Sequence, residues 1–113
     1  MGRRDKVYDG ATADASADSN IVKVLDYETK LIYIKNNHLT NDILYQIEAY
    51  ADSRDTADSQ HTLLTWRLLV AGDTAIHKTT DPWDELWVSF KNNSAGNHAT
   101  CKIWINASVY RRG

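Results

Sequence analysis

The chain has 113 residues, of which 42% are hydrophobic and 25% charged, with a formal net charge of -2. These values are typical of one soluble globular domain with a single core. The small net charge gives no general reason to expect a nucleic-acid partner, and no apolar run approaches the roughly 18 residues that a membrane span needs. The single cysteine, Cys101, excludes an intrachain disulfide and falls in the apolar register of a strand, which predicts a buried thiol.

Residues 1–20 are polar and show no apolar periodicity, so they predict an extended N-terminal arm. Fixing the backbone of twenty such residues costs on the order of 20–40 kcal/mol, with little apolar surface to offset it. Two arrangements could order the arm. A neighbouring subunit or a larger assembly holds it, or it lies packed on its own domain.

Basic residues mark both ends of the chain. Arg3, Arg4 and Lys6 stand near the N-terminus, followed by the aromatic Tyr8, and Arg111 and Arg112 stand near the C-terminus. Short basic ends are usually solvated, but they can also dock on an acidic protein surface or a phosphate backbone, although five charges are too few to indicate nucleic-acid binding. We therefore include Arg3, Arg4, Lys6 and Tyr8 among the candidate interface residues.

Residues 21–113 predict the domain itself, an all-β fold. Short runs with period-two alternation, bounded by turn-forming residues, predict strands. They cover residues 21–25, 30–35, 43–51, 62–70 and 74–79, followed by two more strands within residues 81–106. About seven short strands without a convincing helix predict a single antiparallel β-sandwich, immunoglobulin-like or jelly-roll-like.

The last two strands are predicted to form a β-hairpin across the turn-forming residues Asn92–Asn97. In this interpretation one face of the hairpin is ordinary core. The other face carries Trp87 and Trp104 among polar residues, and such a face needs a cover. With Tyr33 from an earlier strand, the two tryptophans are candidate contact residues for a neighbouring subunit, or a flat platform for sugar rings.

Motifs for catalysis or cofactor binding are lacking. No two of the four histidines have a metal-ligand spacing, glycine-rich phosphate loops are missing, and no serine or cysteine lies beside a base by register. The acidic Asp81-Pro82-Trp83-Asp84 segment favours a capped turn closing one end of the sandwich over a glycosidase pair. We expect no enzymatic activity and no cofactor.

Several motifs within residues 30–106 resemble small β-sandwich virion proteins of tailed bacteriophages. The matching positions are Ile34-Lys35-Asn36, Tyr45-Gln46-Ile47, Trp66, Pro82-Trp83-Asp84, Val88, Lys91, Ala95-Gly96, Ala99-Thr100 and Ile105-Asn106. The arm, Trp87 and Trp104 lie outside this pattern. The resemblance implies an auxiliary head or capsid-decoration protein of the virion, without catalytic residues. Assembly in the host cytoplasm is expected because the sequence shows neither a membrane span nor a signal-peptide segment.

We therefore expect a non-enzymatic virion structural protein that forms a homo-oligomer and binds the major capsid protein or other virion subunits. The arm would tether it, and no direct nucleic-acid or membrane contact is expected. The alternative is a carbohydrate-binding β-sandwich module that uses exposed tryptophan and tyrosine.

Overall fold

The computed structural model describes residues 2–109 and contains two antiparallel β-sheets. The predicted basic residues Arg111 and Arg112 lie outside the described residues. The elements are β1 (Gly2–Ala11), β2 (Ala17–Asp18), β3 (Val22–Lys23), β4 (Thr29–Asn36), β5 (Ile43–Tyr50), α1 (Thr56–Ser59), β6 (Gln60–Leu69), β7 (Thr74–Thr79), β8 (Glu85–Asn92) and β9 (Thr100–Ser108). Sheet A has the order β1-β9-β4-β7. Sheet B has the order β2-β8-β5-β6, with β3 also on β8.

The pairing is nested, as in a long hairpin folded over on itself. Strand β5 pairs with β6, β4 with β7, β2 and β3 with β8, and β1 with β9. The two short strands β2 and β3 together act as one strand, which leaves eight strands in two four-stranded sheets. This order is that of a jelly roll, one of the two sandwich types predicted from the sequence.

The predicted hairpin across Asn92–Asn97 is wrong, because β8 and β9 belong to different sheets. Strand β8 pairs with β5, β2 and β3, whereas β9 pairs with β1 and β4. The loop between them is long enough to pass from one sheet to the other, which are typically about 10 Å apart. Both strands still turn their apolar residues to the core, so their outer faces point in opposite directions.

The polar N-terminal segment lies on its own domain, the second of the two predicted arrangements. Residues 2–11 form β1, which pairs with β9 over nine positions and places Val7 in the core. Between β2 and β3, the Ser19 amide donates to the Val88 carbonyl, and the Val88 amide donates to the Ser19 hydroxyl. Asp14 accepts hydrogen bonds from Asn92 and from the Gly96 amide. Backbone pairing and side-chain hydrogen bonds therefore hold the segment without a neighbouring subunit.

The core lies between the sheets, and the alternation in the sequence identifies it. Ile32 and Ile34 of sheet A face Ile47, Val88 and other apolar residues of sheet B, all of them buried. Burial of each such side chain contributes roughly 1.5–3 kcal/mol.

Cys101 is buried in this core, as predicted, and burial raises the pKa of its thiol to about 12. Gly72 and Gly96 adopt positive φ in the turns before β7 and β9, which explains glycine there. Among residues 2–109 the only helix, α1, has four residues, and no helix is long and apolar enough to cross a membrane.

Candidate interaction face on sheet A

The structure brings four of the seven predicted interface residues together on the outer face of sheet A. In the strand register Lys6 of β1 lies opposite Trp104 of β9, Trp104 opposite Tyr33 of β4, and Tyr33 opposite Ile76 of β7. Arg4 lies two residues from Lys6 on the same face, because side chains alternate along a strand. We name this surface the basic aromatic face. It comprises Arg4, Lys6, Leu31, Tyr33, Lys35, Ile76, Lys78, Lys102, Trp104 and Asn106.

The centre of the face is aromatic and apolar. Trp104 and Tyr33 meet edge to face, with ring centroids 6.2 Å apart and an interplanar angle of 84°. Such a pair contributes about 0.5–1.5 kcal/mol beyond its buried area and holds both rings in place. Tyr33 is 37% exposed and Ile76 is 54% exposed, so the centre remains open to solvent.

A groove of about 520 Å³ runs beside these rings, lined by Arg4, Lys6, Tyr33, Trp104 and Asn106. The Asn106 side-chain oxygen has no hydrogen-bond partner within the described residues. The groove therefore combines two cations, two rings and an amide, which are groups that favour protein interfaces over plain solvent exposure.

Five cations surround the aromatic centre, namely Arg4, Lys6, Lys35, Lys78 and Lys102. They are five of the 13 basic residues of the chain, whereas the four strands of sheet A carry two of its 15 acidic residues, and of these only Asp9 lies on the outer side. Lys6 reaches Asp9 at 3.4 Å, but both side chains are exposed, so the ion pair is weak. The face is therefore strongly basic on a chain that is acidic overall.

Two of these cations repel each other. Lys35 and Lys102 lie directly opposite in the β4–β9 ladder, and like charges in that position destabilise a sheet; Asp9, opposite Lys102 in the β1–β9 ladder, offsets part of this repulsion. An anionic group placed over the pair would relieve the repulsion. This arrangement favours a partner that brings carboxylates or other anions to the face.

Trp87 lies elsewhere, and its predicted place beside Trp104 is wrong. Because β8 belongs to sheet B, Trp87 is on the opposite side of the sandwich from Trp104. It is only 4% exposed and packs against the ring of Tyr50 at 4.5 Å between centroids. The platform predicted from Trp87, Trp104 and Tyr33 is not formed, and Trp87 is covered by its own chain.

Arg3 and Tyr8 do not belong to the face either. The Arg3 guanidinium pairs with the Asp5 carboxylate at 2.6 Å, on the other side of β1 from Arg4. Tyr8 packs on Phe90 of sheet B with ring centroids 4.3 Å apart, and its hydroxyl donates to the Ala11 carbonyl. Burial raises the pKa of the Tyr8 phenol. Both residues close the edge of the sandwich next to β1.

Three lysines of the face escaped the sequence-based prediction, namely Lys35, Lys78 and Lys102. The signal was present in part, because alternation places Lys35 with Tyr33 on β4 and Lys102 with Trp104 on β9. Recognising the cluster required the neighbour relations β1-β9-β4-β7, and these join strands that are distant in sequence.

The acidic turn before β8 serves a structural role in the described chain. Asp84 accepts a hydrogen bond from the Ser53 amide at 2.7 Å, which lowers the pKa of that carboxyl group. Trp83 stacks on His61 with ring centroids 5.3 Å apart at 12°. Among residues 2–109, no group of three or more His, Cys, Asp or Glu side chains is placed to hold a metal ion.

Comparison with solved structures shows the same β-sandwich fold at low sequence identity. The structure of PirA matches with a TM-score of 0.64 and 11% identity, covering 89% of this chain and 94% of that one. A disulfide-linked pilus protein of Bacillus endospore appendages matches with a TM-score of 0.55 and 15% identity, covering 97% of this chain and 90% of that one.

A third match is YomS, a protein derived from the SPBc2 prophage, with a TM-score of 0.53 and 8% identity over 95% of this chain and 94% of that one. No protein-family model and no curated protein matches the sequence. At these identities the structural matches establish the fold and leave function to the surface chemistry.

Proposed function

We propose that this protein is a non-enzymatic structural subunit of a virion, a capsid-decoration protein that binds neighbouring subunits through the basic aromatic face. The observation that carries the proposal is the exposed Trp104–Tyr33 pair surrounded by five cations. The phage-type motifs in the sequence and the shared fold with a prophage protein support the choice of a virion.

The chemistry of the face is suited to protein contacts. Tryptophan, tyrosine and arginine are enriched among the residues that dominate interface energetics, especially when polar neighbours exclude water around them. The rings of Trp104 and Tyr33 provide an apolar centre that a bound partner would shield from water. Lys35, Lys78 and Lys102 provide a charged rim that selects an acidic partner and speeds encounter.

The mechanism of such a subunit is linkage between binding and assembly. A protein that binds the assembled shell and not its separated parts stabilises the shell in proportion to occupancy, by RT ln(1 + [L]/Kd). The predicted tether is not needed for this, because β1 already belongs to the sandwich.

The proposal is tested with virus particles purified from a strain whose genome carries the gene. We expect to find the wild-type chain in purified particles. The copy number of the Tyr33→Ala/Trp104→Ala double variant should be lower by a factor of about ten or more, which corresponds to a loss of about 1.4 kcal/mol or more of binding free energy. Copy number per particle is measured by quantitative mass spectrometry. The matched control is Leu68→Ala, which alters an exposed apolar residue of β6 in sheet B.

Absence of the wild-type chain from particles would contradict the proposal. So would equal incorporation of the double variant. Thermal unfolding of each purified variant separates loss of binding from loss of folding.

A further inference from the structure

The loops at one end of the sandwich carry a concentration of acidic residues. Three connections meet there, formed by residues 24–28, 51–59 and 80–84. The Val24 amide donates to the Asp84 carbonyl, and the Asp84 amide donates to the Tyr50 carbonyl, so the three connections are joined at their bases. Together they hold seven of the 15 acidic residues and one basic residue, Arg54. We name this surface the acidic end; its carboxylates are Asp26, Glu28, Asp52, Asp55, Asp58, Asp81 and Asp84.

An apolar side chain projects from the middle of these charges. Leu25 is 57% exposed and lies next to Asp26. Cavities of about 420 Å³ and 310 Å³ border it, one lined in part by Asp52 and the other by Asp26. Three cations line these cavities too: Lys23 lines both, Arg54 lines the first and is paired with Asp52, and Arg3 lines the second and is paired with Asp5. A protruding leucine on an end of the sandwich where carboxylates outnumber cations is the counterpart of an open aromatic groove surrounded by cations.

Building on the proposed function, we infer that the basic aromatic face docks the acidic end of a second copy of this chain. Leu25 of one copy enters the 520 Å³ groove beside Trp104 and Tyr33 of the next. The carboxylates around Leu25 lie over the lysines of the face, where Asp9 is the one carboxylate beside Lys102 and Lys35 faces the like-charged Lys102.

Among residues 2–109, no ion pair joins the two surfaces within one copy. The basic aromatic face is the outer side of sheet A, and the acidic end lies beyond the strand ends. The contact therefore joins different surfaces of two copies, which is a heterologous contact that forms rings or open chains of subunits. Such repetition is what a shell or filament component requires, and a weak single contact becomes strong when many act together.

The contact is tested by reversing its charges and then restoring them. The face variant is Lys35→Glu/Lys102→Glu and the end variant is Asp26→Lys/Glu28→Lys; all four side chains are exposed or half-exposed. Sedimentation velocity is run at about 20 mM and about 500 mM NaCl, where the Debye length falls from roughly 20 Å to a few Å. We expect the wild type to self-associate with rising concentration at low salt and to dissociate at high salt. Each variant alone should associate at least about ten-fold more weakly, and an equimolar mixture should regain association.

A neutral substitution separates a specific contact from general charge attraction. Leu25→Ser should weaken self-association of the otherwise wild-type chain by about ten-fold. The matched control is Leu39→Ser in the β4–β5 connection, because Leu39 is even more exposed and lies away from the acidic end. Thermal unfolding confirms that each variant folds.

Three outcomes overturn the inference. They are a wild type that stays monomeric at low salt, charge variants that associate as the wild type does, and equal effects of Leu25→Ser and Leu39→Ser. Binding of heparin or a single-stranded oligonucleotide to the face of a monomeric wild type would assign the face to a polyanion instead. If the Tyr33/Trp104 variant is lost from particles while Leu25→Ser is retained and the wild type is monomeric, the proposed function holds with a different partner and the second-copy contact is wrong.

Discussion

The outer faces of the two sheets are built from similar residues but differ in how far their tryptophans are exposed to solvent. On sheet A, Trp104 and Tyr33 remain open at the centre of a cationic surface. On sheet B, Trp87 packs on Tyr50, and the buried Glu48 carboxylate accepts hydrogen bonds from the Thr62 hydroxyl at 3.0 Å. An outward tryptophan therefore indicates a binding surface only when its own neighbours leave it uncovered.

The polar groups of sheet B are also paired within the chain. The Ser89 hydroxyl donates to Asp18 at 2.6 Å, and the Lys91 ammonium lies 4.4 Å from the centre of the Trp66 ring. On sheet A the central Lys35–Lys102 pair is like-charged. The tryptophan of sheet B is therefore covered by side chains of its own chain, whereas sheet A keeps aromatic surface and positive charge exposed to solvent.

The largest effect is expected from removing residues 1–11, which takes β1 and two cations away from the open face. The deletion breaks nine register pairs with β9, each hydrogen bond contributing about 0.5–1.5 kcal/mol, and removes the buried Val7. The sum is comparable to the whole stability of a small domain, about 5–15 kcal/mol, so we expect loss of cooperative unfolding. Circular dichroism during a thermal scan measures it. A cooperative transition near that of the full chain would show that the segment is dispensable, as a true arm would be.

The direct test of the comparison is a pair of matched substitutions, Trp87→Ala and Trp104→Ala. Loss of the buried Trp87 should destabilise the fold by about 3–5 kcal/mol, because a cavity forms beside Tyr50. Loss of the half-buried Trp104 should cost about 1–2 kcal/mol, mainly its contact with Tyr33. Urea denaturation with fixed m-values measures both. Equal costs would mean that the two faces do not differ in the way their exposures indicate.

The strands themselves could be predicted from the sequence, because period-two alternation reports which residues face a core. It placed β7 at residues 74–79 and gave β4 and β5 nearly their observed bounds. It also assigned Cys101 to the interior, where it is fully buried. Alternation is a local property of a strand, and a local property can be predicted from a single sequence.

The partners of the strands could not be predicted, because alternation is the same whichever strand lies alongside. Because strand pairing is not encoded in the alternation, β8 and β9 were predicted to form a hairpin, and Trp87 was predicted to lie beside Trp104. Strand β1 was missed for a related reason. It is an edge strand attached to β9 mostly by backbone hydrogen bonds, and such bonds do not require a particular amino-acid composition. In β6, register shifts opposite residues 45–48 leave Leu68 exposed and Leu69 buried, which a regular pattern does not reveal.

A lysine that points inward from sheet A sharpens the contrast with its outward cations. Lys30 of β4 is only 1% exposed, its ammonium donates to the Asp81 carbonyl at 2.7 Å, and burial lowers its pKa.

Between this lowered pKa and the ordinary value of about 10.4, the unfolded chain binds more protons than the folded one. The free energy of unfolding should therefore rise with pH in that window. This rise is measured below about pH 10 and in a Cys101→Ala background, because the raised pKa values of Cys101, Tyr8 and Tyr45 act in the opposite direction at alkaline pH. Lys30→Met should remove the rise while changing stability at neutral pH by less than about 1.5 kcal/mol, and Lys35→Met, altering an exposed lysine of the same strand, should keep it. If the free energy of unfolding still rises with pH in Lys30→Met, groups other than Lys30 cause the rise.

The smallest expected effect comes from removing one lysine from each face, which tests whether the lysine of sheet B stabilises the fold while the lysine of sheet A does not. Lys91→Met removes the ammonium above Trp66, and because a cation–π contact near the surface contributes about 0.5–1 kcal/mol, we expect a loss of that size. Lys102→Met removes a cation of the open face that lies between Lys35 on β4 and Asp9 on β1, so a lost repulsion and a lost attraction offset each other and stability should change by no more than about 0.5 kcal/mol. Urea denaturation at about 20 mM and about 500 mM salt measures both variants, and salt should reduce both effects. A larger loss from Lys102→Met than from Lys91→Met would mean that the open face also uses its charges internally, and the case for an anionic partner would weaken accordingly.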